Sequence, residues 1–417
     1  MLKNIISTLF SKGFVAIVNF VILFISSKQL GSNLIGQLSL LILNIAIIQI
    51  INEIYTGYAL VYFIPKYALA KLYKYGIIWT ISCTMVFMIL FNLFSLGFKE
   101  LMFHTIALSF IIIIHSFHMV IILAKEKIKI YNFLNFLQPG LLLFTLVIML
   151  FGCNIKTLDS YIMALYVSFC IVLSISIYQL VLIFRQEPAK PLLTNWSLIF
   201  KNGFYNQLAN LSHILSNRFN FYLLGNTILV GIFSRSSTLI ESVWIISGSV
   251  SPIILSHIAN SKKSVNNARL TLLLAKLCLV LSIACVGVLY FIPRDFFVFL
   301  LGEDFIHTKT VMLYLSPGIL FISFSTIISH YFSGLGQQKV LVIANSCGLI
   351  AALCVSHYFV SRYQLLGACY STIISYFVAA VILTAVFMKQ NKFNVLDLFK
   401  FKNDFKLLQK SNTSAIL

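Results

Sequence analysis

The chain has 417 residues, 60% of them hydrophobic and 10% charged, and carries a formal net charge of +19. A spanning helix needs about 20 mostly apolar residues, so a dozen such helices with short connections use up this length and leave no room for a soluble domain. The positive charge does not mark a nucleic-acid binder, because it gathers in alternate gaps between apolar segments, where it reads as topology and attraction to anionic lipid at about 1 kcal/mol per residue.

Apolar segments are expected at 14–30, 36–57, 76–97, 104–123, 131–151, 160–184, 197–224, 228–256, 267–292, 311–334, 338–360 and 364–388. The first follows Lys3 and Lys12 without a small-residue cleavage site behind it, so it reads as a retained helix. Basic gaps hold Lys66, Lys71 and Lys74, then Lys125, Lys127 and Lys129, then Arg185, Lys190 and Lys201, then Lys262, Lys263 and Arg269, then Lys339, and finally the tail from Lys389 to Lys410. The intervening gaps hold only Lys28, Lys99, Lys156, Arg294 with Lys309, and Arg362. Cytoplasmic loops carry the Lys and Arg excess, which places both termini in the cytoplasm.

The expected fold is an all-α polytopic membrane protein of about twelve transmembrane helices in two six-helix lobes. The N-lobe is read as 1–190, the C-lobe as 191–388 and a basic cytoplasmic tail as 389–417, the tail lying on anionic lipid or binding a partner. Pro188 and Pro191 in the polar stretch Arg185–Asn195 mark the lobe boundary. An internal repeat supports it: Leu30-Gly31 with Gly36 and Ser39 is echoed by Leu224-Gly225 with Gly231 and Ser234. Gly31, Gly36, Gly225 and Gly231 suit tight outer turns, where positive φ or close backbone approach is required. Two lobes of like orientation are a known transporter plan.

Ionisable residues at bilayer depth are costly and point to function. Arg218 and Arg235 fall at similar depth on adjacent segments, about 9 Å from the outer end at 1.5 Å per residue, and guanidinium groups suit phosphate or carboxylate. Asn206, Asn210, His213 and Asn217 are spaced to share one helix face. Gln49, Asn52, Glu53 and Thr56 form a second polar stripe, and Ser234, Thr238, Glu241 and Ser249 a third. Such stripes fit a water-filled cavity; the competing reading is polar glue between packed helices, and the arginines can also snorkel to headgroups. Glu241 reads either as a proton or cation coupling site or as the partner of an arginine. For Glu53, snorkelling or a loop contact competes equally with function. His115 and His118, without a third ligand, read as packing. No metal site and no cofactor are expected: the eight cysteines are scattered, and no phosphate-binding loop or hydrolase motif is present. The longest outer segment, about 293–310 with Asp295, Glu303 and Asp304, is too short to carry a catalytic domain, which argues against an enzyme.

Several short motifs, read in order, carry a resemblance. Gln29-Leu30-Gly31 with Gly36 opens the series. Arg218-Phe-Asn-Phe-Tyr-Leu-Leu-Gly225 with Val230-Gly231-Ile-Phe-Ser234 follows, then Pro252 with Ser256. Leu301-Gly302-Glu-Asp-Phe305 and Leu366-Gly367-Ala-Cys-Tyr-Ser-Thr372-Ile-Ile-Ser375 complete it. Together they resemble the Wzx-type O-antigen flippases, in the polysaccharide-transporter branch of the multidrug/oligosaccharidyl-lipid/polysaccharide (MOP) exporter superfamily. The resemblance implies a MATE-like V of two lobes around a cationic cavity. It implies movement of an undecaprenyl-pyrophosphate-linked oligosaccharide from the cytoplasmic to the periplasmic leaflet of a bacterial inner membrane, coupled to an ion gradient. It also implies polysaccharide polymerase and chain-length regulator as partners. The alternatives are a MATE-class drug or cation antiporter, which would favour an acidic cavity, and a membrane enzyme of surface-polysaccharide assembly.

Overall fold

The computed structural model describes residues 2–94, 99–188, 190–193, 197–260 and 265–398. Among these there is no strand. The helices are α1 (Leu2–Thr56), α2 (Leu60–Phe63), α3 (Leu69–Phe94), α4 (Lys99–Ala124), α5 (Ile128–Val147), α6 (Leu158–Arg185), α7 (Ser197–Arg218), α8 (Asn220–Leu223), α9 (Thr227–Glu241), α10 (Ile245–Asn260), α11 (Val265–Phe291), α12 (Arg294–Leu301), α13 (Thr308–Gly334) and α14 (Gln338–Asn391). Nine helical stretches among the described residues are long and apolar enough to cross a membrane.

Two of these stretches are far too long for one crossing, and each bends at one residue. In α1 the break is Gly31 (φ 73°, ψ 174°), and helix resumes at once. The expected turn over 31–35 is therefore a kink. Its new N-terminus is capped from afar: Ser32 N–H and Oγ–H both donate to Asp304 Oδ2, at 2.9 and 3.1 Å. In α14 the break is Gln364 (φ 46°, ψ −115°). A 3-10 turn, Ser242–Trp244, separates α9 from α10 inside the segment expected at 228–256. The tail from 399 onward lies outside the described residues.

The chain forms two compact units. The first comprises Met1–Leu211, Asn226–Gly231 and Phe299–Asp304. Its apolar core gathers Tyr55, Phe63, Phe117, Ile121, Leu134 and Val172. His118 is fully buried there and fixed at both ring nitrogens. Ser176 Oγ–H donates to Leu173 O at 2.8 Å, so it accepts from His118 Nδ1 at 2.9 Å, and Nε2 faces Tyr73 OH at 3.1 Å. That is a satisfied core histidine. Asn52 and Thr56 are also structural: Thr56 and Thr80 hydroxyls donate to Asn52 Oδ1, and Trp79 Nε1 donates to Asn52 O.

The stretch after α6 is pinned to this unit. Glu187 pairs with Lys125 and, at 2.8 Å, with Lys190. Lys190 Nζ also donates to Ile64 O at 3.4 Å, and Ala68 N–H donates to Pro191 O at 3.0 Å. Burial works against an ionised Glu187, yet the Lys125 and Lys190 ammoniums outweigh it and hold the carboxyl below its ordinary range. A depressed carboxyl stabilises the fold fully above the unfolded glutamate value of about 4.3, and that stabilisation is lost as pH falls through the folded value. Glu187→Gln is therefore expected to lower stability by about 1–2 kcal/mol at neutral pH. The gap from wild type should close below about pH 4, as read by thermal unfolding of the detergent-solubilised protein across pH.

The second unit comprises Ser212–Gly225, Ile232–Val298 and Phe305–Leu417. Its core gathers Ile258, Leu272, Ile328, Tyr331, Phe332 and Phe387. Asn220 is buried and joins α8 to α14: Nδ2 donates to Ala368 O and Thr372 Oγ1, both at 3.0 Å, and Oδ1 accepts from Ser371 at 2.9 Å. Lys276, a cation within apolar α11, is only 2% exposed, and its ammonium donates to Asp397 O at 2.5 Å. It thereby holds the 3-10 turn Val395–Leu398 against this unit.

Candidate functional site

In the second unit the end of α7 meets α9 through charge. Arg218 donates from Nη2 to Glu241 Oε2 at 2.7 Å and from Nη1 to Ser237 Oγ at 2.8 Å. Its guanidinium carbon also lies 5.3 Å from the centre of the Phe221 ring. The two charged side chains are about one-fifth exposed (21% and 20%). Of the two readings open for Glu241, this geometry fits the arginine partner. Arg235, two helical turns before the end of α9, is half-buried.

His213 sits one turn earlier on α7, with ring centroids 5.4 Å from Trp244 and 6.4 Å from Tyr376. Trp244 is held by donation from Nε1 to Thr326 Oγ1 at 2.8 Å. Beside His213 is a cavity of about 30 Å³ lined by Ser216, Ser325, Asn345, Ser375 and Tyr376 among others. Ile322, Ala379 and Leu383 complete its lining, which is thus mixed, and it has room for one or two waters. Asn217 is buried, whereas Asn206 and Asn210 are exposed. The four residues expected on one face thus have different surroundings.

In the first unit a polar centre forms around Glu53. Gln49 Nε2 and Ser116 Oγ donate to Glu53 Oε1 at 2.8 and 3.0 Å, and Gln207 Nε2 donates to Oε2 at 3.4 Å. Asn210 Nδ2 donates onward to Gln207 Oε1 at 3.4 Å. Close packing makes this possible, since a Cβ on Gly203 would lie 1.8 Å from Ile54 O. The glycine lets α7 settle on α1 one turn from Gln207. Ser116 and Gln207 were not foreseen; the sequence signal for the second is the Gly203–Gln207–Asn210 spacing of four and three.

The repeat glycines divide by role. Gly31 and Gly225 adopt positive φ, 73° and 62°. Gly36 and Gly231 are helical points of close approach: an added Cβ would lie 1.8 Å from Thr227 O and 2.0 Å from Ser32 O.

At the level of sequence, no family profile and no curated protein matches the chain. Solved structures do match. A structure of the lipid II flippase MurJ, in an inward closed conformation, is similar over 99% of this chain and 93% of its own, with TM-score 0.70 and 14% identity. An inward-facing multidrug resistance MATE family transporter of the MOP superfamily is similar over 91% of this chain and 94% of its own, with TM-score 0.70 and 14% identity. The fold is that of the MOP superfamily transporters. A further MOP superfamily transporter, from Pyrococcus furiosus and described as having a binding pocket of reverse polarity, matches over 95% of both chains with TM-score 0.61 and 14% identity. The nine apolar helical stretches among the described residues, in a fold shared with these transporters, make the chain a multi-pass membrane protein. Arg218, Arg235 and Glu241 lie in the second unit, and Glu53, among neutral donors, lies in the first.

Proposed function

We propose that the protein is a flippase that moves an undecaprenyl-pyrophosphate-linked O-antigen repeat unit from the cytoplasmic to the periplasmic leaflet of a bacterial inner membrane, by alternating access driven by an ion gradient. The observation that carries this reading is the guanidinium-bearing polar patch of Arg218, Ser237 and Glu241, built into membrane helices of a fold shared with a lipid II flippase; Arg235 lies on the same helix as Ser237 and Glu241, α9. Arg218, Arg235 and Glu241 together leave a net positive charge, which suits pyrophosphate or acidic sugar. His213, Asn217, Asn206 and Asn210 would line the path of the polar headgroup, which cannot cross hydrocarbon with its polar groups unsatisfied. The lipid tail would stay in the bilayer.

Topology supports the same reading. The stretches of 51 and 54 residues each supply two crossings at 1.5 Å per residue. With the less apolar α7, that gives twelve crossings in two lobes, 1–190 and 191–388. The Lys and Arg distribution favours both termini in the cytoplasm, with the basic tail on anionic lipid. The reading needs no cofactor and no catalytic chemistry, and it admits polymerase and chain-length regulator as partners. A MATE-class cation antiporter is the second reading, favoured by Glu53, a membrane carboxylate surrounded by neutral donors.

Complementation of a strain lacking its O-antigen translocase tests the proposal, with surface polysaccharide read on a gel and membrane levels checked. Wild type is expected to restore polysaccharide, and Arg235→Ala to reduce it about tenfold or more, the worth of one charge-assisted contact of about 1.5–3 kcal/mol. Failure of wild type alongside the matching repeat-unit genes would move the assignment to the antiporter.

A further inference from the structure

We propose that Tyr58 and the stripe Tyr131, Asn135 and Gln138 of α5 form a binding site for a neutral sugar ring; the inference rests on reading the cargo as a lipid-linked oligosaccharide and names the part of it that the first unit takes. The three α5 residues are spaced by four and three, which puts them on one helix face. Leu142 and Thr145 continue that face by the same spacing, and both are buried. Tyr131 itself packs against the apolar core of the first unit. The face therefore looks into the protein and not into lipid. Yet its first half is open: Asn135 is exposed, and Tyr131 and Gln138 are half-buried. Tyr58, 56% exposed, brings its hydroxyl to 3.4 Å from that of Tyr131.

Tyrosines at the end of a span sit at headgroup level, which accounts for Tyr58 and Tyr131 but not for Gln138. That residue is about 15 Å along α5 from Ile128 at 1.5 Å per residue, near the middle of the apolar stretch Ile128–Gly152. Polar side chains at such depth act as glue when they bond a neighbouring helix. The Gln138 side chain bonds nothing among the described residues, and Asn135 only donates back to Tyr131 O of its own helix, at 3.0 Å. Both ends of one amide and the carbonyl oxygen of another are thus left for a ligand. An amide offers a donor and an acceptor side by side, which matches neighbouring sugar hydroxyls. The tyrosines add an apolar ring for the C–H face of a sugar and a hydroxyl for its rim. Phosphate fits poorly, because it calls for cationic donors. The site has no Lys or Arg, and the carboxylate of Glu53 lies in the field of the Tyr58 hydroxyl. The guanidinium groups would then take the pyrophosphate, and this stripe the sugar.

Saturation-transfer NMR tests this, with the full chain in nanodiscs free of sugar-based detergent. The probes are the methyl glycosides of glucose, galactose, N-acetylglucosamine and N-acetylgalactosamine. Wild type is expected to transfer saturation to the ring protons of at least one of them. That signal should fall about threefold or more in Gln138→Ala and in Tyr58→Ala, the worth of one hydrogen bond. It should persist in Phe133→Ala, whose ring is 53% exposed on the opposite face of α5. The unfolding temperature of Gln138→Ala should match wild type, because that side chain bonds no neighbour among the described residues. No transfer to any glycoside in wild type, undiminished transfer in both Gln138→Ala and Tyr58→Ala, an equal loss in Phe133→Ala, or a lowered unfolding temperature in Gln138→Ala would each overturn the proposal. Because no lipid-linked cargo is present, this result stands apart from the polysaccharide assay. Sugar binding with failed complementation faults the flippase reading, and complementation without sugar binding faults this site alone.

Discussion

Arg218→Ala is expected to destabilise the protein by about 2–4 kcal/mol, below the full cost of stranding a deeply buried charge because the pair is partly open. The loss comes from leaving Glu241 without its guanidinium donor at 2.7 Å and Ser237 without its donor at 2.8 Å. The informative companion is the double replacement Arg218→Met with Glu241→Leu. Removing both charges leaves no stranded ion, so thermal stability in detergent is expected to return to within about 1 kcal/mol of wild type. Surface polysaccharide should not return if Arg218 touches the cargo. Recovery of both stability and polysaccharide in the double variant would reduce the pair to a structural clamp and leave anion contact to Arg235.

Gly36→Ala and Gly231→Ala are each expected to prevent recovery of folded protein, or to cost at least about 3 kcal/mol where any folds. The added methyl would meet backbone carbonyls, Thr227 O at 1.8 Å and Ser32 O at 2.0 Å, and no rotamer change relieves that. Gly225→Ala meets no such wall, only the strain of φ 62°, at about 1–2 kcal/mol. Gly248 has nothing within 4 Å of an added Cβ. Gly248→Ala, within α10, is expected to be neutral or to stabilise by up to about 1 kcal/mol. The monodisperse fraction after solubilisation, with its unfolding temperature, orders the four variants. Equal behaviour of Gly36→Ala and Gly248→Ala would refute the close-packing argument.

Hydropathy made the helical segments legible, because bilayer thickness and backbone satisfaction leave few options for apolar runs of this length. It misjudged the joints. Residues 31–35 read as a loop because Gly and Asn break helices locally, yet Asp304 supplies the cap that lets helix resume at Ser32. Within the site, the pairing of Arg218 with Glu241 was one of the two readings the sequence left open for that glutamate. The Glu53 centre was not legible, since Ser116 and Gln207 lie 63 and 154 residues away. Spacing also places Asn206 and Asn217 on one face but cannot say which neighbour covers that face; packing exposes the first and buries the second.

The cap on Ser32 has a consequence for biogenesis. Its carboxylate arrives 272 residues later in the chain, and Thr227, which pairs with Asn33, arrives 194 residues later. The amino-terminal helices enter the bilayer with an uncapped bend and keep it until most of the polypeptide has left the ribosome. The first unit is thus finished by its latest-arriving pieces. Fragments ending before Asp304 would hold an incomplete hairpin, exposed to quality-control proteolysis, and insertion order and folding order need not coincide.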